Sequence, residues 1–180
     1  VMKYRCDVLV CTIERGDEAY IAKGDFVFAE KDVVTIVAAP IKAKEFFSYI
    51  NYTGNSIKNA IVVGGGVITH YLCEIMEKSG ISMKIIDKDL KVCEDLASKF
   101  PKCHIIHGNA ADKDLLLEEG AARVGAFVSL SNIDEENILH SLFIKDVCQG
   151  KLITKINRTD YDSVISRLDL DTVICPINIT

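Results

Sequence analysis

Ile61-Val62-Val63-Gly64-Gly65-Gly66-Val67-Ile68-Thr69 decides how this chain is read. Apolar, β-branched residues run straight into three glycines, and a helically spaced pattern follows at once. A strand, a tight turn and a helix N-terminus have this signature. Glycine suits such a turn because it takes backbone angles that other residues avoid. It also leaves no side chain to block a diphosphate approaching the backbone N–H groups. The helix that follows points the positive end of its dipole at the same place. The full dinucleotide fingerprint asks for glycine at its first, third and sixth positions. Gly64 and Gly66 fill the first two, and Thr69 stands at the sixth, where glycine or alanine usually lets helix and strand pack closely.

Downstream of the turn, strands and helices alternate. Ile68, Leu72 and Ile75 share a helical face, and Gly80 stops the helix. Met83 to Ile86 is a second strand ending at Asp87. An acid about twenty residues past the first glycine, at the tip of the second strand, can accept both ribose hydroxyls of an adenosine. A 2′-phosphate would be repelled there, so NAD or an adenine nucleotide is expected rather than NADP. Asp89 caps a helix that Pro101 ends, and Cys103 to Ile106 forms a third strand. Asp112 caps a short leucine-rich helix closed by Gly120, and Ala126 to Leu130 forms a fourth strand. Ser131 to Glu136 opens another helix with a capping residue first and acids in the first turn, and Ile138, Leu139, Leu142, Phe143 and Val147 read as its buried stripe. Leu152 to Ile156 is a fifth strand, Asn157 to Asp160 starts a last helix carrying Val164, Ile165 and Leu168, and Val173 to Cys175 is a sixth strand. The strands are continuous apolar runs, which predicts a parallel sheet covered on both faces. The fold class is therefore α/β, a Rossmann-type doubly wound parallel sheet.

Before the turn the pattern differs. Val8 to Ile13, Ala19 to Ile21, Phe26 to Phe28 and Val33 to Val37 read as short strands separated by turn residues, and Ala43 to Asn51 as a helix. A small α+β unit of this size buries little surface alone and is expected to pack on another copy or domain. The polar stretch from Asn51 to Lys58 marks the boundary, which divides the chain into residues 1–54 and 55–180.

The 180 residues are 49% apolar with a net charge of −5 and no basic block, which disfavours nucleic acid as a partner. No apolar run approaches the roughly eighteen residues of a membrane span, and no signal peptide opens the chain. Seven scattered cysteines form no C-x-x-C pair, so a reducing, cytoplasmic setting is expected, with the cysteines in structural roles. His70, His104, His107 and His140 have no mutual ligand spacing and read as surface or packing histidines. Asp134, Glu135 and Glu136 read as helix N-terminal charges. No metal site or catalytic residue is expected. Val1 precedes Met2, and an element is in progress there, so the chain reads as part of something longer.

Several stretches together carry a family resemblance. They are Gly64 to Gly66, Lys84 to Asp89, His107 to Asp112, Phe127 to Ile138, and Ile174 to Pro176. In combination they resemble the Trk potassium-uptake regulatory protein (TrkA) family, with its cytoplasmic RCK or KTN domain. The match covers Asn59 to Thr180 as the nucleotide-binding part, while residues 1 to about 50, with Ile21 to Asp25, look like the small C-terminal RCK subdomain that precedes a second such half. The resemblance implies a regulator rather than an enzyme. Such subunits lie at the inner face of the cell membrane against a membrane-embedded potassium transporter subunit, form homo-oligomers (dimers or rings), and change shape with NAD(H) or ATP, ADP or AMP. Carried over by position, the glycine turn of Gly64, Gly65 and Gly66 holds the phosphates and Asp87 the ribose, with Val67, Ile68 and Lys88 also among the cofactor-binding residues. Asn109 and Ala110 lie near the adenine, and Ser131 near the rest of the ligand. Two other readings stay open: a fragment of a nicotinamide-dependent oxidoreductase, and a structural ring module whose nucleotide site Thr69 has closed.

Overall fold

The computed structural model describes residues 7–16, 18–52, 57–158, 165, 167, 168 and 170–176. The chain divides into two compact units, Val1–Ser56 and Ile57–Thr180.

In the first unit, β1 (Leu9–Arg15), β2 (Glu18–Ile21) and β3 (Val33–Val37) form an antiparallel sheet in the order β2-β1-β3. Helix α1 (Pro40–Tyr49) follows, with proline in its first turn, where its missing N–H costs nothing. Phe26 to Phe28 is not a strand. The backbone there is satisfied by a turn and by a side chain: Phe26 N–H donates to the Lys23 carbonyl, and Arg15 Nη2 donates to the Val27 carbonyl at 3.1 Å. Arg15 also forks onto Asp32 at 2.7 and 2.8 Å, and Asp32 accepts the Ala29 N–H. The guanidinium and that N–H together hold the Asp32 carboxyl down at about 2. Among the described residues of this unit only Ile13 is buried, and Leu9, Val33 and Val37 are exposed.

The second unit is the parallel sheet. Its strands are β4 (Asn59–Val63), β5 (Ser82–Asp87), β6 (His104–His107), β7 (Ala126–Ser129), β8 (Lys151–Lys155) and β9 (Thr172–Ile174). They lie in the order β6-β5-β4-β7-β8-β9, and every pairing is parallel. The chain leaves β4 in one direction and returns at β7 to build the other, so the switch point lies between β4 and β7. In doubly wound sheets ligands bind at that crevice, beyond the C-terminal strand ends.

The connecting helices are α2 (Val67–Ser79), α3 (Leu90–Lys99), α4 (Lys113–Glu118) and α5 (Asp134–Lys145). Successive residues of β4 face opposite layers. Val62 packs with Cys73 of α2 and Leu96 of α3, while Ile61 and Val63 pack with Leu116 of α4 and Ile144 of α5. This two-sided burial is why the strands carry no polar alternation. The helix ends follow their local chemistry. Asp89 accepts the Lys91 N–H and Asp112 the Asp114 N–H, while Gly80 closes α2 at φ 71° and Gly120 follows α4 at φ 90°.

Two helices turn faces that their apolar pattern does not announce. Thr69 and Cys73 are buried on α2, whereas Val67, Ile68, Tyr71 and Ile75 are exposed. On α5 the buried face is Asp134, Asn137, His140, Ser141 and Ile144, while Leu139 and, just past the helix, Val147 are exposed. Helix α5 begins at Asp134 after Ile133, and Ser131 does not cap it. The expected last helix falls largely outside the described residues, Val164 included; Ile165 and Leu168 are helical. The six cysteines among the described residues are free thiols, and burial pushes that of Cys73 up to about 12.

Candidate functional site

The glycine turn is a close approach of backbone to backbone. Gly64 takes φ 99°, and a Cβ there would lie 2.9 Å from Leu130 C and from Ser131 N. Only glycine fits. The Gly64 N–H donates to the Ile86 carbonyl, and the Leu130 N–H donates to the Val63 carbonyl, so the turn is tied to both neighbouring strands. Gly65 lies against the next helix: a Cβ would meet Val92 Cγ1 at 2.5 Å and Leu96 Cδ1 at 2.7 Å. Gly66 is different. Nothing lies within 4 Å of the position its Cβ would take. It is the residue before α2, and no side chain caps that helix end.

Asp87 closes the turn from the second strand. Its Oδ2 accepts the Gly65 N–H at 2.6 Å, and its Oδ1 accepts the Asp89 N–H at 2.8 Å. The carboxylate is thus fixed beside the glycine backbone by two N–H groups. Thr69 does not intrude. It is fully buried and donates its hydroxyl to the Gly64 carbonyl at 2.5 Å, which braces the turn from beneath.

These groups surround a cleft of about 280 Å³ at the C-terminal ends of the strands. Gly64, Gly65, Gly66, Asp87, Lys88, Asn109, Ala110 and Ser131 all line it. Val67 and Ile68 do not; they lie in the exposed first turn of α2. At the mouth, Lys88 Nζ lies 3.6 Å from Glu136 Oε1, so the loop after β5 reaches α5.

Behind the opposite wall, which Ser131, Asn132, Glu136 and His140 line, lies a buried polar network whose roles the sequence reading missed. Asn137, fully buried on α5, accepts the Ser131 N–H at 2.9 Å and the Ser129 hydroxyl at 3.0 Å through Oδ1. Through Nδ2 it donates to the Ser131 and Lys155 carbonyls, each at 2.9 Å. One amide therefore holds the ends of β7 and β8 and the loop between β7 and α5. Asp134 is no simple dipole charge. It is 4% exposed and accepts the backbone N–H groups of Asn157 and Arg158 as well as the Asn157 side-chain amide. Lys155 is buried near it, with Nζ 3.4 Å from Asn132 Oδ1, and burial holds the ammonium below its ordinary value against the pull of Asp134. Thr154 donates to Ser141 at 2.7 Å. His140, 6% exposed, lies 3.4 Å from the Ser129 hydroxyl through Nδ1, and burial lowers its pKa. The signal for this wall was present: Asp134, Asn137 and Ser141 recur at helical spacing, so they share one face of α5.

The family described as TrkA-N domain matches residues 60–176. The chain belongs to that family. A Trk system potassium uptake protein TrkA of Halomonas elongata is 31% identical over 170 residues, covering 94% of this chain and 37% of that protein. The chain spans less than two fifths of that relative's length, so it corresponds to one part of such a protein. Among solved structures, the GsuK RCK domain covers 97% of this chain and 37% of its own, with TM-score 0.67 at 15% identity. A GsuK channel bound to NAD covers 74% of this chain and 25% of its own, with TM-score 0.57 at 16% identity. These two establish the likeness in fold. The TrkA-N match starts at Ala60 on β4 and therefore takes in the glycine turn, Asp87 and the α5 wall together. Among the described residues no group of three His, Cys, Asp or Glu is placed to hold a metal ion, and no helix is long and apolar enough to cross a membrane.

Proposed function

We propose that this TrkA-N chain is the nucleotide-sensing part of a regulatory subunit of a potassium uptake system, and that its cleft takes NAD(H) or an adenine nucleotide. One observation carries the reading. At the switch point an open Gly66, an uncapped α2 N-terminus and a backbone-anchored Asp87 line one cleft. Backbone N–H groups and a helix dipole suit phosphates, and a carboxylate at the second strand suits the ribose hydroxyls. The TrkA relative supports the potassium-uptake role, and the neighbour bound to NAD supports the ligand class.

Each residue keeps a role within this reading. Gly64 and Gly65 shape the turn, the Gly65 N–H being taken by Asp87, while the open Gly66 receives the phosphates at the N-terminus of α2, whose first turn holds Val67 and Ile68. Asp87 and Lys88 hold the ribose, Asn109 and Ala110 border the base, and Ser131 meets the far half of the ligand. Thr69 supports rather than closes the site, since its hydroxyl is used beneath the turn. Residues 1–54 act as the small C-terminal RCK-like subdomain and 55–180 as the nucleotide-binding domain of the next half. The assembled protein is a homo-oligomer at the cytoplasmic face of the membrane, bound to the transporter subunit, and acts as a regulator without catalysing a reaction. Nucleotide controls transport by binding one arrangement of the assembly more tightly than the other.

Calorimetric titration with NADH, NAD, ATP and AMP, repeated on Asp87→Ala, tests the ligand. Micromolar binding that weakens at least tenfold in the variant is expected. Absence of binding by all four would overturn the proposal.

A further inference from the structure

The polar network on the α5 wall determines the protonation of a histidine that opens on the cleft. Asn137 Nδ2 faces two carbonyls, those of Ser131 and Lys155, and its Oδ1 faces the Ser131 N–H. Only one orientation of the amide satisfies all three. Oδ1 is then an acceptor toward Ser129, so the Ser129 hydroxyl must spend its one proton there, at 3.0 Å. Toward His140 Nδ1, at 3.4 Å, the same oxygen has only lone pairs to offer. Nδ1 must carry the proton, and neutral His140 presents a bare Nε2.

Nε2 has a definite place. His140 is 6% exposed, and the hydrogen bond it makes among the described residues is the one through Nδ1. No buried polar side-chain atom among the described residues is without a partner. Nε2 is therefore not sealed in the core, and the residue lines the cleft. Two cavities meet there. His140, Ala110 and Glu136 line both the cleft and an adjoining groove of about 420 Å³ along α5. Glu136 is paired to Lys88 at the mouth, which leaves the imidazole as the uncharged polar group of that ridge.

We propose that His140 is a specificity-determining residue of the nucleotide site: its Nε2 accepts a hydrogen bond from the ligand, and it selects a 6-amino purine over a 6-oxo purine. This rests on the nucleotide reading above, in which the base lies by Asn109 and Ala110. The exocyclic amine of adenine is a donor and satisfies Nε2. Hypoxanthine carries a carbonyl oxygen at that place, so acceptor meets acceptor and both stay unsatisfied, and such a mismatch at a group that hydrogen-bonds the ligand is strongly discriminating.

The probes are ADP against IDP, and NADH against its hypoxanthine analogue, titrated by calorimetry into the wild-type chain, Asp87→Ala and His140→Phe. The wild type is expected to bind each adenine ligand roughly tenfold or more tightly than its partner. His140→Phe keeps a flat aromatic ring without the acceptor nitrogen and is expected to bring the ratio close to one, by weakening the adenine ligand alone. Equal wild-type binding of both purines, lost in Asp87→Ala, would overturn the role of His140 and leave the nucleotide site standing. A preference that survives in His140→Phe would do the same. Absence of binding by every ligand would overturn both. Nitrogen-15 NMR of the wild-type imidazole, which needs no variant to fold, provides a further test. An Nδ1–H tautomer whose Nε2 resonance moves with ADP but not with IDP supports the assignment, and an Nε2–H tautomer refutes it.

Discussion

Gly64 lines one wall of the cleft and Asn137 lies buried behind the other, and the two walls are held in opposite ways. The glycine wall is shaped by what is missing. At Gly64 a single methyl group would overlap the backbone of Leu130 and Ser131, and at Gly65 it would overlap Val92 and Leu96. The α5 wall is shaped by what is present: a carboxamide with four partners, a carboxylate with three donors, a buried lysine and a buried histidine. Both walls position backbone. The first allows two strands and a helix to approach. The second ties the ends of β7 and β8 to α5, so that the loop carrying Ser131 cannot drift from the glycine turn.

Substitutions separate the two modes. The largest effect is expected from Gly64→Ala. It places a side chain at φ 99° and against backbone that is bonded on both sides. A loss of about 2–4 kcal/mol in chemical denaturation is expected, with nucleotide binding abolished. Asn137→Ala comes next. It strands the Ser131 N–H and two carbonyls in a buried site, and about 2–3 kcal/mol is expected. If Asn137→Ala cost nothing, the wall would be packed by shape, and the contrast would disappear.

A smaller effect is expected from pH. Burial lowers the His140 pKa, and Glu136 and Lys88, which act on it with opposite sign, do not reverse that. As pH falls through the ordinary histidine value of about 6.5, the unfolded chain takes up the proton first. Stability contributed by neutral His140 is therefore present above that pH and is lost as pH falls from there to the folded-state value. His140→Phe should flatten the corresponding part of the stability curve, measured between pH 7 and 5. The smallest effect belongs to Gly66→Ala. Its position is open and its φ is −72°, so stability should stay within about 0.5 kcal/mol of wild type. Nucleotide binding should weaken all the same, because the methyl group stands where a phosphate would approach. A stable variant with unchanged affinity would remove the phosphate from Gly66.

The legibility of the two walls in the sequence follows from the same contrast. Glycine runs, strand-ending acids and capping residues act locally, and Gly64 to Gly66, Asp87, Asp89 and Asp112 stand where their spacing placed them. The α5 wall depends on partners distant in the chain: Asn137 on Lys155, Asp134 on Asn157, Ser141 on Thr154. Periodicity alone put the apolar side of α5 inward, because isolated apolar residues are the ordinary sign of a buried face. Here the strand ends present carbonyls and N–H groups that only polar side chains can satisfy, so Asn137 and Ser141 turn inward and Leu139 turns out. Phe26 to Phe28 failed as a strand for a related reason. Arg15 and a turn take backbone groups that a ladder would have used.

The sequence by itself determined the α/β order, the parallel sheet, the glycine turn and the acid at the tip of β5. Each of these follows from backbone angles, burial on two faces, or hydrogen bonds between near neighbours. Only the tertiary structure decided which face of α5 lines the cleft, what Thr69 does beneath the turn, and which nitrogen of His140 is bare. Those depend on donors and acceptors brought together from separate strands, and a buried polar atom takes its role from the partner that satisfies it.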